Sequence, residues 1–318
     1  MSKFVLRLLT FAVFSILAAD ASKADITWNL TYADDGTGFG FDSQTTIGAT
    51  RQATMTAVTQ YINSVVDADG VIDLQIEQSL NVGAFTTPLG TAGSQYSWFV
   101  GDTGFVDGWV QRHATTGTDP SGSTSPDGFA QFDFGYTWNS DLSDPAFEEF
   151  DLFSVALHEF THALGFASVI QPDGTSGLAD NLYSTFDSFL RDSLGDPLID
   201  AAGNFIADSS VLTSGSVFFE TAAGAMIELY APNPFAPGSS LSHVDLDDSV
   251  MSFSIFNGEM QRTYSADELA ILGTIGYDVQ VAAVPEPSSL LLLAVTGAGI
   301  GLCRIRRRRA TTETQTAA

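Results

Sequence analysis

Two histidines, His158 and His162, lie four residues apart with Glu159 between them, and this spacing constrains the chain more than any other sequence feature. On an α-helix, residues four apart share one face, so both imidazoles can bind one metal ion. Glu159 lies on the flank of that face, where its carboxylate can accept a proton from a metal-bound water. The spacing therefore predicts a helix that carries part of a hydrolytic metal site.

These residues form the HExxH pattern, which is the signature of zinc proteases. Gly165 and Phe166 extend it to HExxHxxGF. The alternative is an ordinary helix with a solvated polar face, in which the pattern arises by chance. The longer match and the rest of the chain favour the metal site.

The chain is strongly acidic, with 38 acidic and 12 basic residues and a net charge of −26. Such a surface disfavours nucleic acid and anionic membranes as partners. A generally acidic exported surface explains most of these acids. Calcium binding is compatible with this charge, but no specific calcium site is predicted, because Asp67–Gly70 has its glycine at the fourth position of the loop rather than the sixth. The only cysteine is Cys303, so the body of the chain contains no internal disulfide.

The N-terminus has the three parts of a secretory signal peptide, which we assign to residues 1–24. Lys3 and Arg7 precede the apolar run Leu8–Ala19, and small residues follow, with cleavage expected after Ala21 or Ala24. A retained membrane anchor is the alternative, although about twelve apolar residues are short for a membrane span.

The C-terminus combines a Pro-rich lead, an apolar segment and a basic cluster at residues 284–309, followed by a cytoplasmic tail at 310–318. The order resembles the PEP-CTERM sorting signal of Gram-negative bacteria that make exopolysaccharide. The resemblance implies a membrane-bound sorting enzyme as a partner and a transient membrane anchor. It also implies a final location at the cell surface, in the periplasm or in the extracellular matrix. A plain C-terminal transmembrane anchor is the alternative.

Residues 25–280 are predicted to form one α+β domain with a loop-rich C-terminal part. The active-site helix is expected to begin after Asp144 or after Asp151, either of which can serve as N-cap. The other expected elements are strands at Ile26–Tyr32, 71–77 and Phe129–Trp138, and helices at Thr45–Val66, Tyr183–Ser193 and Asp267–Ile275, the last capped by Ser265 with Glu268.

A catalytic zinc ion needs three protein ligands and an open position for water. Outside the HExxH motif the chain has two histidines, His113 and His243. A carboxylate ligand is the other solution, with three candidates: Asp180, Asp187 and Glu220. Of these residues, His243 is favoured as the third ligand, and the others stay open.

The motif residues resemble those of the metzincin zinc proteases, although Ser168 occupies the position of the usual third histidine. The chain looks like the leishmanolysin-type variant, in which the third histidine is displaced, over about residues 129–278. That resemblance implies His243 as the displaced ligand and Met251 as the methionine of the turn beneath the metal. It also implies a zincin-like fold with a mixed twisted sheet and the HExxH motif on an active-site helix.

The expected function is an exported zinc-dependent endopeptidase that acts on protein or peptide substrates. One catalytic Zn²⁺ would be bound by His158, His162 and His243, and Glu159 would act as general base. The strand Phe129–Trp138 is expected to be the edge along which an extended peptide binds. The alternative is a non-catalytic surface or exopolysaccharide-matrix protein with a structural or vestigial zinc site.

Overall fold

The structure, a computed structural model, describes residues 25–79, 88–122 and 125–280. The expected signal peptide, sorting segment and cytoplasmic tail lie outside these residues. The described residues form a mixed α+β fold. Its α-helices are α1 (Thr46–Val65), α2 (Trp109–Thr116), α3 (Leu152–Ala163) and α4 (Ala266–Thr274), and two 3₁₀-helices cover Phe186–Phe189 and Ser209–Thr213. Its strands are β1 (Thr27–Tyr32), β2 (Val66–Asp67), β3 (Val71–Gln78), β4 (Gly90–Ser94), β5 (Gly104–Val106), β6 (Gly128–Phe132), β7 (Trp138–Asn139), β8 (Phe150–Asp151), β9 (Leu182–Ser184), β10 (Leu190–Arg191), β11 (Val217–Glu220), β12 (Met226–Leu229) and β13 (Asp278–Val279).

The main sheet has four strands in the order β1-β3-β6-β4. Strands β1, β3 and β6 are parallel, and β4 is antiparallel to β6 at the edge. Alternation of apolar and polar residues predicts β3 correctly, since its buried side chains are Ile72, Leu74 and Ile76. The predicted mixed sheet is therefore present.

Helices α1 and α3 pack against each other, and α3 also packs against β4 and β6. Phe160 of α3 is fully buried and stacks on Trp28 of β1, with ring centroids 5.7 Å apart. Buried side chains from the sheet, the helices and the C-terminal part form one continuous hydrophobic core. Helix α3 is thus held in place by apolar burial along its length.

The C-terminal part has short elements joined by long loops, as predicted. Strands β10, β11 and β12 form a three-stranded antiparallel sheet. Helix α4 begins with the predicted capping box, in which the Ser265 hydroxyl accepts from the backbone N–H of Glu268 and the Glu268 carboxylate accepts from the backbone N–H of Ser265.

Two sequence-based predictions of secondary structure are wrong, one in this part of the molecule and one in the main sheet. The expected helix at Tyr183–Ser193 is a strand, one 3₁₀ turn and another strand, because the Asp187 carboxylate accepts from the backbone N–H groups of Ser184 and Val169 and fixes a non-helical turn. The expected strand Phe129–Trp138 ends at Phe132, where the Asp133 carboxylate accepts from Gly135 N–H and closes a turn.

Candidate active site

Helix α3 begins at a charged cap that is fully buried. Asp151 is the N-cap rather than Asp144, and its carboxylate accepts from the backbone N–H of Ser154 at 3.1 Å. Arg262 donates to both carboxylate oxygens of Asp151, at 2.8 and 2.5 Å. An N-cap contributes about 1 kcal/mol, and the paired arginine offsets the cost of burying the carboxylate. This contact fixes the position of α3 against the loop before α4.

The two helix histidines are each oriented by a backbone carbonyl. His158 Nδ1 lies 2.7 Å from the carbonyl oxygen of Val250, and His162 Nδ1 lies 2.8 Å from that of Phe166. Gly165 ends the helix with a φ of 102°, a conformation that favours glycine. The turn at Gly165 brings the Phe166 carbonyl back to His162, which gives the Gly-Phe extension of the motif a structural role.

His243 comes from a loop that follows β12. Its Nδ1 lies 2.7 Å from the carbonyl oxygen of Ser239. The backbone of the loop is paired with Tyr230, which donates to the His243 carbonyl and accepts from the N–H of Leu241. Leu241 has a φ of 66°, so the loop turns sharply just before the histidine. Hydrogen bonds to its ring and to its backbone therefore fix the position of His243.

The three imidazoles converge on one point through their Nε2 atoms. The Nε2–Nε2 distances are 3.1 Å for His158–His162, 3.1 Å for His158–His243 and 3.3 Å for His162–His243. Because each Nδ1 donates to a carbonyl, each neutral ring leaves its Nε2 lone pair free, so these contacts are not hydrogen bonds. Three nitrogens bound tetrahedrally to one zinc ion at about 2.05 Å would lie about 3.3 Å apart. The donor set and its spacing thus fit a zinc ion.

The protonation state of the rings also suits metal binding. Burial lowers the pKa of all three histidines, to about 3 for His243, and the neighbouring imidazoles lower it further for His162 and His243. The rings are therefore neutral at pH 7, which is the form that binds a metal.

Glu159 lies beside the histidines and is only 5% exposed. Burial raises the pKa of its carboxyl to about 8, and a cation nearby would favour the ionised form. Gly90 of β4 packs against this side chain, so that a β-carbon at residue 90 would lie 2.7 Å from Glu159 Oε1. The carboxyl group therefore lies against the edge strand of the main sheet and lines the same cleft as the three histidines.

A cleft of about 770 Å³ opens over the histidines and Glu159. One wall is Pro88–Ala92, which includes the first residues of β4, and the other contains Val250 and the segment from Ser252 to Ile255. The expected peptide-binding edge, Phe129–Trp138, is wrong: β6 lies inside the sheet between β3 and β4, so its backbone is already paired on both sides. Within the described part of the chain, β4 is the edge strand of the main sheet, and its residues Gly90, Thr91 and Ala92 line the cleft.

The other ligand candidates lie elsewhere in the structure. The three histidines form a potential metal-binding group without any carboxylate from Asp180, Asp187 or Glu220. Glu220 forms a salt bridge with Arg191 at 2.7 Å. The carboxyl group of Asp187 is buried and accepts hydrogen bonds from the Val169 N–H and the Ser184 hydroxyl. His113 is bonded to Asp127 instead, at 2.7 Å.

Ser168, at the position where a metzincin has its third histidine, has a supporting contact. Its N–H donates to the hydroxyl of Ser242, at 3.0 Å, and Ser242 directly precedes His243. Ser168 and the loop that carries His243 are thus adjacent in space.

Met251 is fully buried, as predicted for a core residue, and its backbone has a partner that sequence reasoning missed. The Met251 N–H donates to Glu268 Oε1 at 2.5 Å. Glu268 therefore serves the capping box of α4 and also fixes the loop whose Val250 carbonyl orients His158. The sequence reveals the capping box, but it gives no signal for this second role.

Comparisons with known proteins identify the C-terminal segment. Residues 283–308 match the PEP-CTERM protein-sorting motif. This motif implies recognition by a sorting enzyme, export and membrane anchoring before processing. No curated protein and no solved structure gives a significant match. Over residues 25–79, 88–122 and 125–280, no helix is long and apolar enough to cross a membrane. The chain thus carries a PEP-CTERM sorting motif near its C-terminus.

Proposed function

We propose that this protein is an exported zinc-dependent endopeptidase of metzincin-like architecture. The observation that carries the proposal is the convergence of His158, His162 and His243, whose Nε2 atoms lie within 3.3 Å of one another at the floor of an open cleft. Glu159 follows directly after the first ligand and faces the same cleft. Three neutral imidazoles with a carboxylate beside them are the residues that a hydrolytic zinc site requires.

Each residue has a defined part in hydrolysis. The three histidines would hold a zinc ion, and that ion would supply the Lewis acidity that activates water and the scissile carbonyl for hydrolysis. Glu159 accepts the proton of the attacking water and transfers it to the leaving amine. Val250, Phe166 and Ser239 keep the three rings oriented through their carbonyls, which fixes the tautomer that binds the metal.

The substrate is expected to bind along β4. Among residues 25–79, 88–122 and 125–280 this strand pairs only with β6, which leaves its other edge open, and Gly90, Thr91 and Ala92 line the cleft. An extended peptide can add to such an edge as a further strand, with main-chain hydrogen bonds that do not depend on its sequence. Gly90 has no side chain and Ala92 has only a methyl group, so neither residue shields the backbone. Protein or peptide substrates fit this geometry better than compact small molecules.

The second candidate is a surface or matrix protein that uses zinc only for stability. The sorting motif favours this candidate. It is the one feature that a comparison with known proteins identifies, and it concerns export rather than catalysis. Two observations weigh against this candidate. A structural zinc site is normally closed by four protein ligands, and it needs no carboxylate beside an open position. Here three ligands converge, and Glu159 lies in the cleft.

A cleavage assay with chelation separates the two candidates. The purified full chain is loaded with zinc and incubated with casein, gelatin and a library of unstructured peptides. The proposal expects cleavage that a zinc chelator abolishes and that added zinc restores. If folded protein with about one zinc ion bound by the three histidines cleaves none of these substrates, the structural role replaces the proposed one.

A further inference from the structure

A second group of potential metal ligands lies apart from the three histidines. Asp73 of β3, His113 of α2 and Asp127 each place one ligand atom within 4.8 Å of those of the other two. Parallel pairing of β3 and β6 brings the two aspartates together: the N–H of Asp127 donates to the carbonyl of Asp73 at 2.7 Å, and the N–H of Asp73 donates to Asp127 Oδ2 at 2.9 Å. The cluster joins three separate segments of the chain.

This cluster lies at the opposite end of β4 from the cleft. Gly90, which contacts Glu159, pairs with Phe132, whereas Ser94 at the far end of the strand pairs with Gly128. Asp127 directly precedes Gly128, and its carbonyl accepts from the N–H of Gln95. The cluster therefore has no ligand in common with the proposed catalytic centre.

The buried carboxylate of Asp127 is only partly satisfied by its hydrogen bonds. Its side chain is fully buried, and Oδ2 accepts from His113 Nδ1 and Asp73 N–H. The other oxygen, Oδ1, is buried without a hydrogen-bond partner among the described residues. Burying a carboxylate oxygen without a partner destabilises the folded state. A cation or a further hydrogen-bond donor at this oxygen would remove that cost.

A protonated His113 would meet that need only in part. One imidazolium carries a single positive charge, while Asp73 and Asp127 supply two negative charges. Its bond reaches Oδ2 and leaves Oδ1 unpaired. A divalent cation would neutralise both carboxylates at once. Two donor atoms bound to one ion lie about 3 Å apart, so the 2.7 Å separation of His113 Nδ1 and Asp127 Oδ2 is compatible with shared ligation.

We propose that Asp73, His113 and Asp127 form a second, structural metal site that binds one divalent transition-metal ion, such as Zn²⁺ or Mn²⁺. One imidazole nitrogen and two carboxylate oxygens suit these ions, whereas calcium takes oxygen ligands. The site would tie α2 to β3 and to the start of β6. The only cysteine of the chain is Cys303, so metal ligation is the available way to cross-link these segments.

The test counts bound ions in the full chain after the first site has been removed. His158→Ala with His162→Ala deletes two ligands of the proposed catalytic centre. Metal content is measured by mass spectrometry after dialysis against zinc or manganese buffered at a fixed free concentration, and thermal unfolding is followed with and without the ion. About one ion per chain should remain in this double variant, and it should raise the melting temperature.

Asp127→Asn added to the double variant should remove the remaining ion and its effect on melting. Asp69→Asn is the matched control, because Asp69 is an exposed acid close in sequence to Asp73. If Asp127→Asn prevents folding, Asp73→Asn, at a half-buried position, gives the same comparison. An ion content that is unchanged by the substitution of Asp127 or Asp73, or that is already absent from the double variant, would overturn the proposal and assign the cluster as a histidine–aspartate ion pair. The result does not depend on protease activity.

Discussion

Gly90 lies directly against the side chain of Glu159, so closely that a β-carbon at residue 90 would come within 2.7 Å of Oε1 and 2.8 Å of Cγ. Gly90 begins the edge strand β4, and Glu159 lies on the first turn of the HExxH segment. No side chain separates the proposed base from the strand along which a peptide is expected to bind. The identity of residue 90 therefore controls the position of the carboxylate.

We expect Gly90→Ala to lower kcat by about tenfold or more, since the new methyl group displaces the carboxylate and a small misplacement of a catalytic group costs up to about 100-fold. Zinc content should not change. Gly90 has no side chain, so the substitution removes no contact with the three histidines. Gly93→Ala is the matched control on the same strand: its β-carbon would lie 3.5 Å from a Phe129 ring carbon, an ordinary contact. Equal activity of the two variants would contradict the assigned position of the base.

Glu159→Gln should lower kcat by about 100-fold or more, because the amide cannot accept the proton of the attacking water. The side chain keeps its size, so the fold and the three metal ligands should be preserved. Peptide cleavage and zinc content are measured on the same preparation. A variant that retains both zinc and full activity would show that another group acts as the base.

His243→Ala should abolish peptide cleavage and weaken zinc binding by at least about 100-fold, since two histidines remain where a catalytic site requires three ligands. The controls are Glu220→Gln and Asp180→Asn, which remove two of the three alternative carboxylate ligands. Both should keep zinc and activity, as Glu220 pairs with Arg191 and Asp180 is exposed. Zinc affinity is measured by competition with a coloured chelator. Loss of zinc in either control, but not in His243→Ala, would assign the third ligand to a carboxylate.

The parts of the fold that the sequence predicts well are those with a local code. Helix α3 follows from the HExxH spacing, although the sequence leaves its N-cap open between Asp144 and Asp151, and α4 follows from the Ser265–Glu268 capping box. Strand β3 follows from strict alternation. In each case, the residues that determine the element lie within a few positions of one another, so no knowledge of the tertiary structure is needed.

The parts that the sequence does not predict depend on distant partners. Strand β4 has the sequence Gly-Thr-Ala-Gly-Ser, which lacks apolar alternation, and it is a strand because β6 pairs with it. The loop that presents His243 depends on backbone bonds to Tyr230 and on the positive φ of Leu241. The sequence therefore supplies the types of ligand, whereas the shape of the cleft comes from long-range pairing.

Asp187 should make stability depend on pH in an unusual direction. Burial raises the pKa of its carboxyl to about 6, and hydrogen bonds from Ser168 and Ser184 offset this only in part. Between its ordinary pKa of 3.8 and about pH 6, the folded chain binds a proton that the unfolded chain does not. The contribution of Asp187 to the free energy of unfolding is therefore largest below the lower value and is lost as pH rises to 6.

Relative to Asp187→Asn, the wild-type protein should lose on the order of 2–3 kcal/mol of stability as pH rises through that window. The other carboxylates are common to both proteins, so the difference between their unfolding free energies isolates Asp187. Urea unfolding at several pH values measures it. A difference that stays constant from pH 4 to 7 would mean that the carboxyl keeps its ordinary pKa.

Glu268 is expected to position the metal site without touching it. Its Oε1 fixes the N–H of Met251, and the adjacent Val250 carbonyl orients His158, so Glu268→Ala should weaken zinc binding by about 10-fold to 100-fold. Ser265→Ala is the matched control, because it removes the hydroxyl cap of α4 and leaves the Glu268–Met251 contact in place. That control should cost about 1 kcal/mol of stability with unchanged zinc affinity. If both variants lose stability and neither changes zinc affinity, the role of Glu268 is confined to capping α4.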